Sequence, residues 1–292
     1  MTTYGVYALP DDVKEIELKT EKVSDDVLLA RYCMEASEDV QRIALGRQFH
    51  PTRETRRYDF SQYDSLKLDK DLVEVEELAT ENGGEVIPSG SYFLKVGNLY
   101  DHPPYRRIEL KQDGAVNQFS WSGTPQQCNS VTGFWGYMPN WQSAWVNSGD
   151  TVQSLTSTTL TVSNVDGADR RFSKPRFKEL QLLKITDGTT TEFMFVFAKN
   201  QANNTLSIER AVNGTAEVSS PNGLTIYTWQ PFDVISRYTR RLAAYYYRQR
   251  GNSRADADRP IITPNGTVLP AELPSEIVKA ISSYRWVTIG GG

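Results

Sequence analysis

The chain has 292 residues, of which 39% are hydrophobic and 11% aromatic, enough for one large domain or two moderate ones. Its net charge of −4 gives no overall basic surface of the kind that binds nucleic acid tightly. No run approaches the roughly 18 apolar residues of a membrane span, so we expect no membrane partner. The first residues lack a basic stretch followed by an apolar one, so we also expect no secretory signal.

Two cysteines, Cys33 and Cys128, lie far apart without a C-x-x-C spacing, which favours free thiols in a reducing compartment. Three Asn-x-Thr triplets begin at Asn203, Asn213 and Asn265. Because we expect no secretory signal, we interpret these triplets as turn sequences rather than as glycosylation sites.

Residues 1–23 are acidic and weakly patterned, which leaves an extended arm and a short strand both open. Residues 24–46 predict a long amphipathic helix, because Ser24 is a good N-cap and acidic residues follow it in the first turn. Gly46 and Pro51 end this helix. Its apolar positions recur every three or four residues on one face, namely Leu29, Cys33, Ala36, Val40 and Ile43.

Residues 47–57 predict a basic, aromatic loop with four arginines, Arg47, Arg53, Arg56 and Arg57. Short β segments follow, and the turn at 82–84 predicts a hairpin between strands 72–78 and 92–96. Further strand candidates are 106–110, 119–121 and the aromatic segment 131–137. Residues 138–170 predict exposed strands and loops. Asp-Gly and Asn-Gly turns then punctuate an antiparallel meander, with strands at 179–185, 191–198, 205–210 and 224–229.

Residues 231–250 predict a second, arginine-rich helix with an apolar face formed by Ile235, Tyr238, Leu242 and Tyr245. Opposite charges on the two long helices favour contacts between them, either within one bundle or between neighbouring subunits. The acidic side of this predicted contact is Asp25, Asp26, Glu38 and Asp39. The basic side is Arg237, Arg240, Arg241 and Arg248.

Residues 251–272 are polar and rich in proline, and they predict a linker. Residues 274–286 predict a third, short helix with Ile277, Ile281 and Tyr284 on one face. A short amphipathic helix after a linker is a candidate docking element for another protein. Packing of the same face against the chain's own body is the alternative that the sequence leaves open.

No sequence motif for catalysis, phosphate binding or metal binding is present, so we expect no enzyme, no cofactor and no metal. The two histidines, His50 and His102, lie far apart, which argues against a His/Cys metal site. A pair of catalytic carboxylates stays open, because such partners need not be close in sequence. Such a pair of carboxylates would favour a glycoside or cell-wall hydrolase.

Two groups of residues invite binding hypotheses. Residues 237–259 contain seven arginines with tyrosines between them, a composition that suits nucleic acid, although we favour a solvated helix face in an acidic chain. Flat aromatic rings stack on sugars, so a tryptophan-rich β region also suits a carbohydrate- or receptor-binding module. We favour core or interface packing for these tryptophans, which are Trp121, Trp135, Trp141 and Trp145.

Four segments carry a resemblance to a known family, in the order GRQF at 46–49, GFWGY at 133–137, ERAVNGTA at 209–216 and an arginine-rich helix at 241–250. Together they resemble the head–tail connector proteins of tailed bacteriophages, also called adaptors or neck proteins. Ala211 stands where a glycine is common in that family. The resemblance covers roughly residues 24–290.

The resemblance implies a structural virion protein without catalytic activity, made in the host cytoplasm and located in the neck between capsid and tail. Such proteins form a ring, usually of twelve copies, between the portal protein and the next neck or tail protein. DNA passes through the ring without specific binding. Because the family's C-terminal segment commonly reaches the portal, the resemblance implies portal binding by Ile277, Ile281, Tyr284 and Trp286.

The predicted fold class is α+β, with a small helical bundle from both ends of the chain and a large antiparallel β insertion of barrel or sandwich type. The helical parts are residues 1–57 and 231–250. The insertion is 58–230, with a break near 138–178 if it has two subdomains. Residues 251–292 form the linker and the docking segment.

Overall fold

The computed structural model describes residues 2–20, 25–96, 102–168, 175–249, 261–262, 268–269 and 273–285. Helices make up 25% of the chain and strands 33%, and all strand pairs are antiparallel, so the fold class is α+β. Neither of the two large sheets closes into a barrel, so the barrel form of the prediction is wrong.

Most helices of the described residues lie near the two ends of the chain, and one short helix lies between the two sheets. The helices are α1 (Pro10–Asp12, continued by a π-helical turn at Val13–Leu18), α2 (Asp26–Ile43), α3 (Trp141–Ala144), α4 (Asp233–Gln249) and α5 (Ser275–Ser282). The long helices α2 and α4 pack against each other, and α5 packs on both.

The apolar stripe predicted for α2 faces the core. Leu29, Cys33, Ala36 and Val40 are all buried, because their spacing of three or four residues places them on one side of the helix. The chain leaves the helix at Gly46, whose N–H donates to the carbonyl of Gln41 at 2.8 Å. Ser24, the predicted N-cap, lies outside the described residues.

The N-terminal segment differs from both forms that the sequence left open. Tyr7, Ala8 and Val13 are buried in the same core as α2, and residues 10–18 are helical. The sequence pattern does not predict the helical turns at 10–18, because the segment is acidic and its few apolar residues are consecutive rather than periodic.

The first sheet contains β1 (Thr52–Tyr58), β2 (Ser65–Thr80), β3 (Glu85–Val86), β4 (Tyr92–Lys95), β5 (Tyr105–Leu110) and β6 (Asn129–Trp135). Their order in the sheet is β1-β6-β2-β5-β4, with β3 paired to the end of β2. Short 3₁₀ turns flank β3 at Glu81–Gly83 and Ser89–Ser91.

Three local predictions in this sheet are wrong. The predicted loop at 47–57 contains β1, whose full length pairs with β6. The predicted hairpin fails because β2 pairs with β3, whereas β4 pairs with β5. The predicted strand at 119–121 is irregular, and Phe119 is buried there. Pairing with the distant strand β6 decided the first outcome, whereas in the second β2 and β4 each pair with a strand close to them in sequence.

The second sheet contains the predicted meander in the order β7-β13-β10-β11-β12-β9-β8. Its strands are β7 (Trp145–Thr151), β8 (Ser154–Leu155), β9 (Thr159–Thr161), β10 (Leu182–Thr186), β11 (Thr191–Asn200), β12 (Thr205–Glu209) and β13 (Thr225–Trp229). The chain passes from one sheet to the other through α3. Within the predicted linker, β14 (Ile261–Ile262) pairs with β15 (Val268–Leu269).

Each sheet has its own core, and both also contribute to the core that contains the helices. Phe134 of the first sheet and Phe193 of the second meet there, with ring centroids 5.4 Å apart. The residues that leave α2 therefore lie where the helices and the two sheets come together.

Candidate functional site

Residues 46–53, which we call the joint segment, run from the end of α2 into the start of β1. They contact the helices and both sheets. Arg47, at the start of the joint segment, donates from Nε and Nη2 to the two carboxylate oxygens of Asp71 on β2, at 2.7 and 2.8 Å. Nη1 of Arg47 donates to the carbonyl of Tyr284 at 2.9 Å. A single guanidinium thus ties the end of α2 to the first sheet and to the residues that follow α5.

This ion pair is buried, with side-chain exposures of 6% for Arg47 and 4% for Asp71. The guanidinium carbon also lies 3.9 Å from the ring centroid of Tyr137, which adds a cation–π contact. Arg106 approaches Asp71 at 3.6 Å from the other side. Burial makes the pair worth little in net stability but makes the loss of one partner expensive.

An aromatic cage closes over Tyr284. The centroid of its ring lies 6.3 Å from that of Phe49, 5.6 Å from that of Tyr137 and 6.1 Å from that of Phe232. Burial raises the pKa of the Tyr284 phenol. The cage holds the end of the α5 segment against the joint segment.

His50 belongs to a buried hydrogen-bond network. Its Nδ1 accepts from the hydroxyl of Tyr7 at 2.9 Å, and Nε2 of Gln41 donates to the same hydroxyl. Burial lowers the pKa of His50 to about 3, so the imidazole is neutral at physiological pH. The N-terminal segment, α2 and the joint segment are linked through this neutral network.

The GFWGY segment meets the joint segment directly. The N–H of Tyr137 donates to the carbonyl of Gln48 at 2.7 Å, and the N–H of Gly136 donates to the carbonyl of Asp71 at 2.8 Å. A Cβ on Gly133 would lie 2.1 Å from the carbonyl oxygen of Glu74, so only glycine fits at this strand crossing.

The ERAVNGTA turn meets the joint segment from the second sheet. Asn213 is fully buried, and its amide nitrogen donates to the carbonyls of Tyr4 at 2.9 Å and Pro51 at 3.0 Å. Its amide oxygen accepts from the N–H of Tyr4 at 2.6 Å. Ala211, where the family commonly has glycine, adopts a φ of 51°, the left-handed region that glycine enters most readily.

The acidic residues predicted for the contact between α2 and α4 accept mainly from hydroxyl and amine groups. Asp25 accepts from the hydroxyl of Tyr247 at 2.7 Å, and Asp39 accepts from the hydroxyl of Tyr246. Asp26 pairs with Lys14 at 2.6 Å. Glu38 is exposed.

The arginines of α4 reach other groups. Arg240 donates to the hydroxyl of Ser236 at 2.8 Å, and Arg241 lies 3.7 Å from Glu276 of α5. Arg248 donates to the carbonyl of Glu17 at 2.5 Å, and Arg237 lies over the ring of Tyr238 at 5.1 Å. The two helices pack as expected, and the contacts of α4 with Asp25 and Asp39 come from the hydroxyls of Tyr247 and Tyr246.

The predicted docking face of α5 lies against the chain's own body. Ile277 is 2% exposed and Ile281 is fully buried in the core with α2 and α4. Tyr284 lies in the aromatic cage, and Trp286 falls outside the described residues. Of the two options for this face, the structure has the internal one.

We expect Ile281→Ala to weaken the docking of α5 by about 2–5 kcal/mol, because it leaves a cavity in the core. Hydrogen exchange measured on peptides covering Ser275–Ser282 would report this as lost protection. Lys279→Ala, on the exposed side of the same helix, is the matched control and should change protection little. Equal protection in both variants would contradict the internal packing of α5.

The four tryptophans do not form one platform. Trp135 is 1% exposed, and Trp141 and Trp145 pack on the central core. Trp121 is 42% exposed and lies 4.6 Å from Phe60, whose ring lies 5.1 Å from that of Tyr63. An open groove of about 630 Å³ adjoins Tyr63 and is lined mainly by Ser, Gln and Asn side chains.

Sequence reasoning singled out Arg47 but missed its partner Asp71. Asp71 is itself charged and follows the exposed residues Asp69 and Lys70, so its position in the sequence gives no sign of burial. In the described part of the chain, no cluster of His, Cys, Asp and Glu is arranged to hold a metal ion. Across the same residues, no helix is both long and apolar enough to cross a membrane. Cys33 and Cys128 are buried and unpaired.

The joint segment is therefore the candidate functional site: a meeting point of the helices, both sheets and the α5 segment. Comparison with protein-family models, with curated proteins and with solved structures finds no match for this chain.

Proposed function

We propose that the chain is a head–tail connector, a structural virion protein that forms a ring beneath the portal, extends the DNA channel and joins the capsid to the tail. One observation supports this most. Three of the four segments that carry the resemblance to connector proteins, at 46–49, 133–137 and 209–216, meet at the joint segment although up to 170 residues separate them.

The contacts among these segments support the resemblance, because they show that the segments are close together in the folded chain. Each segment alone is a short turn or strand that many proteins contain. Hydrogen bonds link Gln48 with Tyr137, and Pro51 with Asn213, so the segments form one structural unit. Shared turns that form one unit are better support for a family relation than the same turns scattered over the surface.

The proposed role requires no turnover and no cofactor. Copies of the chain contact one another, the portal and the next neck or tail protein, and the proposed location is the neck of the virion. The net charge of −4 suits a conduit, because acidic walls do not bind passing DNA.

The two sides of α5 differ in what portal contact would require of the structure. Ile277 and Ile281 are covered by the chain's own helices, so they reach a portal only if α5 leaves its site. The exposed side of α5, which includes Glu276 and Lys279, is available without any rearrangement.

Co-sedimentation with purified portal rings of the same virus tests the proposal. We expect the full chain to co-migrate at about one copy per portal subunit, and a chain ending at Glu272 to bind more weakly. A Glu276→Ala/Lys279→Ala variant separates the two faces of α5, since it keeps the buried isoleucines. Absence of co-migration in low and in moderate salt would contradict the connector role.

A carbohydrate- or receptor-binding tail module is a second candidate. The exposed rings of Tyr63 and Trp121 beside an amide-lined groove support it, because neutral sugars stack on aromatic faces and bond to amides. A glycan array probed with the intact chain and with Trp121→Ala tests this candidate. An array without signal would remove it.

A further inference from the structure

A second cleft, which we call the cationic cleft, lies on another side of the helical body. Its volume is about 230 Å³. The N-terminal helical segment, the stretch before β10, the end of β13 and α4 each contribute to its walls. The joint segment does not line it, so this cleft is separate from the site described above.

Positive charge dominates the lining of the cationic cleft. Its charged residues are three cations, Arg176, Lys178 and Arg240, and one carboxylate, Asp12. Lys178 pairs with Asp12 at 2.6 Å and has a side-chain exposure of only 9%. Arg176 pairs with Asp150 at 3.1 Å. The charges of Lys178 and Arg176 are therefore compensated by carboxylates of the same chain.

Arg240 is different, because the one hydrogen bond that it forms with the described residues is donated to the neutral hydroxyl of Ser236 at 2.8 Å. No carboxylate among the described residues forms an ion pair with it. Its Nε is buried without a hydrogen-bond partner, so part of the guanidinium has lost water and gained no acceptor. An unsatisfied donor of this kind costs about 1–3 kcal/mol, and more when it is charged.

We infer that the cationic cleft binds a phosphate group, with Arg240 as the principal ligand. A guanidinium presents several N–H donors in one plane, and a tetrahedral oxyanion accepts two of them together. Thr228, Gln181 and Gln230 supply neutral polar groups in the lining, whereas Lys178 is already paired with Asp12.

The dimensions favour a single phosphate group over a polymer. A cleft of about 230 Å³ between two helical segments and a sheet accommodates one oxyanion, but it is not a groove along which a nucleic-acid backbone could lie. A bound phosphate would join α4 to the N-terminal segment and to the second sheet. This inference does not depend on the proposed connector role. Failure of phosphate binding would leave the connector proposal unchanged, and failure of portal binding would leave this inference unchanged.

Isothermal titration calorimetry with the full chain and inorganic phosphate, at constant ionic strength, tests the inference. We expect saturable binding by the wild-type chain, and binding at least tenfold weaker for Arg240→Gln. The matched control is Arg237→Gln, which removes the same charge from an exposed position of α4 and should bind within about twofold of wild type. A parallel titration with adenosine monophosphate distinguishes free phosphate from a phosphate carried on a nucleotide.

Absence of saturable heat from the wild-type chain with both ligands would overturn the inference. Equal affinity of Arg240→Gln and wild type would overturn it as well, and so would an equal loss in Arg237→Gln, which would indicate general surface charge. If Arg240→Gln does not fold, Arg240→Lys replaces it in the comparison. Lysine keeps the charge but not the planar donor pair, so we expect affinity several-fold below that of wild type.

Discussion

Arg47→Met is expected to destabilise the protein by about 3–5 kcal/mol, because it leaves the buried carboxylate of Asp71 without its bidentate partner. The same substitution also removes the hydrogen bond to the Tyr284 carbonyl, so α5 should exchange its amide hydrogens faster. Chemical denaturation gives the free energy of unfolding, and hydrogen exchange localises the effect.

The control is the exposed pair of Arg53 and Glu76, 2.7 Å apart with side-chain exposures of 38% and 30%. Arg53→Met should cost no more than about 1 kcal/mol, since solvent screens an exposed pair. The double variant Arg47→Met/Asp71→Leu should regain most of the loss, because it no longer contains a buried unpaired charge. A loss in Arg47→Met no larger than in Arg53→Met would contradict burial of the pair.

Gly214→Ala is the second substitution with a large expected effect. Gly214 has a φ of 83°, and a Cβ there would lie 1.9 Å from the carbonyl oxygen of Arg53 in β1. Left-handed backbone costs alanine about 1–2 kcal/mol and overpacking adds about 1–3, so we expect a loss of about 2–5 kcal/mol. Thermal unfolding measures it.

Gly223→Ala separates the two causes. Gly223 has nearly the same φ, 81°, but a Cβ added there would have no neighbouring atom within 4 Å. This variant should lose only the backbone part, about 1–2 kcal/mol. If the two variants lose equal stability, the close contact between the ERAVNGTA turn and β1 does not exist as described.

Both predictions address the connection between helices and sheets rather than a reaction. A ring protein between capsid and tail has to hold its surfaces in fixed relative positions, and packed interiors transmit displacement with little compression. In the proposed role, variants that loosen the joint segment should therefore assemble poorly even where they still fold.

Local sequence patterns determined the elements whose evidence is local. The stripes of α2 and α4 follow from apolar residues at helical spacing, and the strands β10 to β13 of the second sheet follow from short segments between Asp-Gly and Asn-Gly turns. The class α+β follows from these elements in their order, and so does a helical body built from both ends of the chain.

Tertiary structure alone decided which distant groups meet. β1 exists because β6 pairs with all of it, although its own residues indicate a basic loop. Asp71 is buried because Arg47 lies opposite, and Ile281 is covered because α2 and α4 leave a site for α5. Sequence periodicity reports the environment of a residue along its own element, whereas these contacts join residues far apart in the chain, so only the folded chain specifies them.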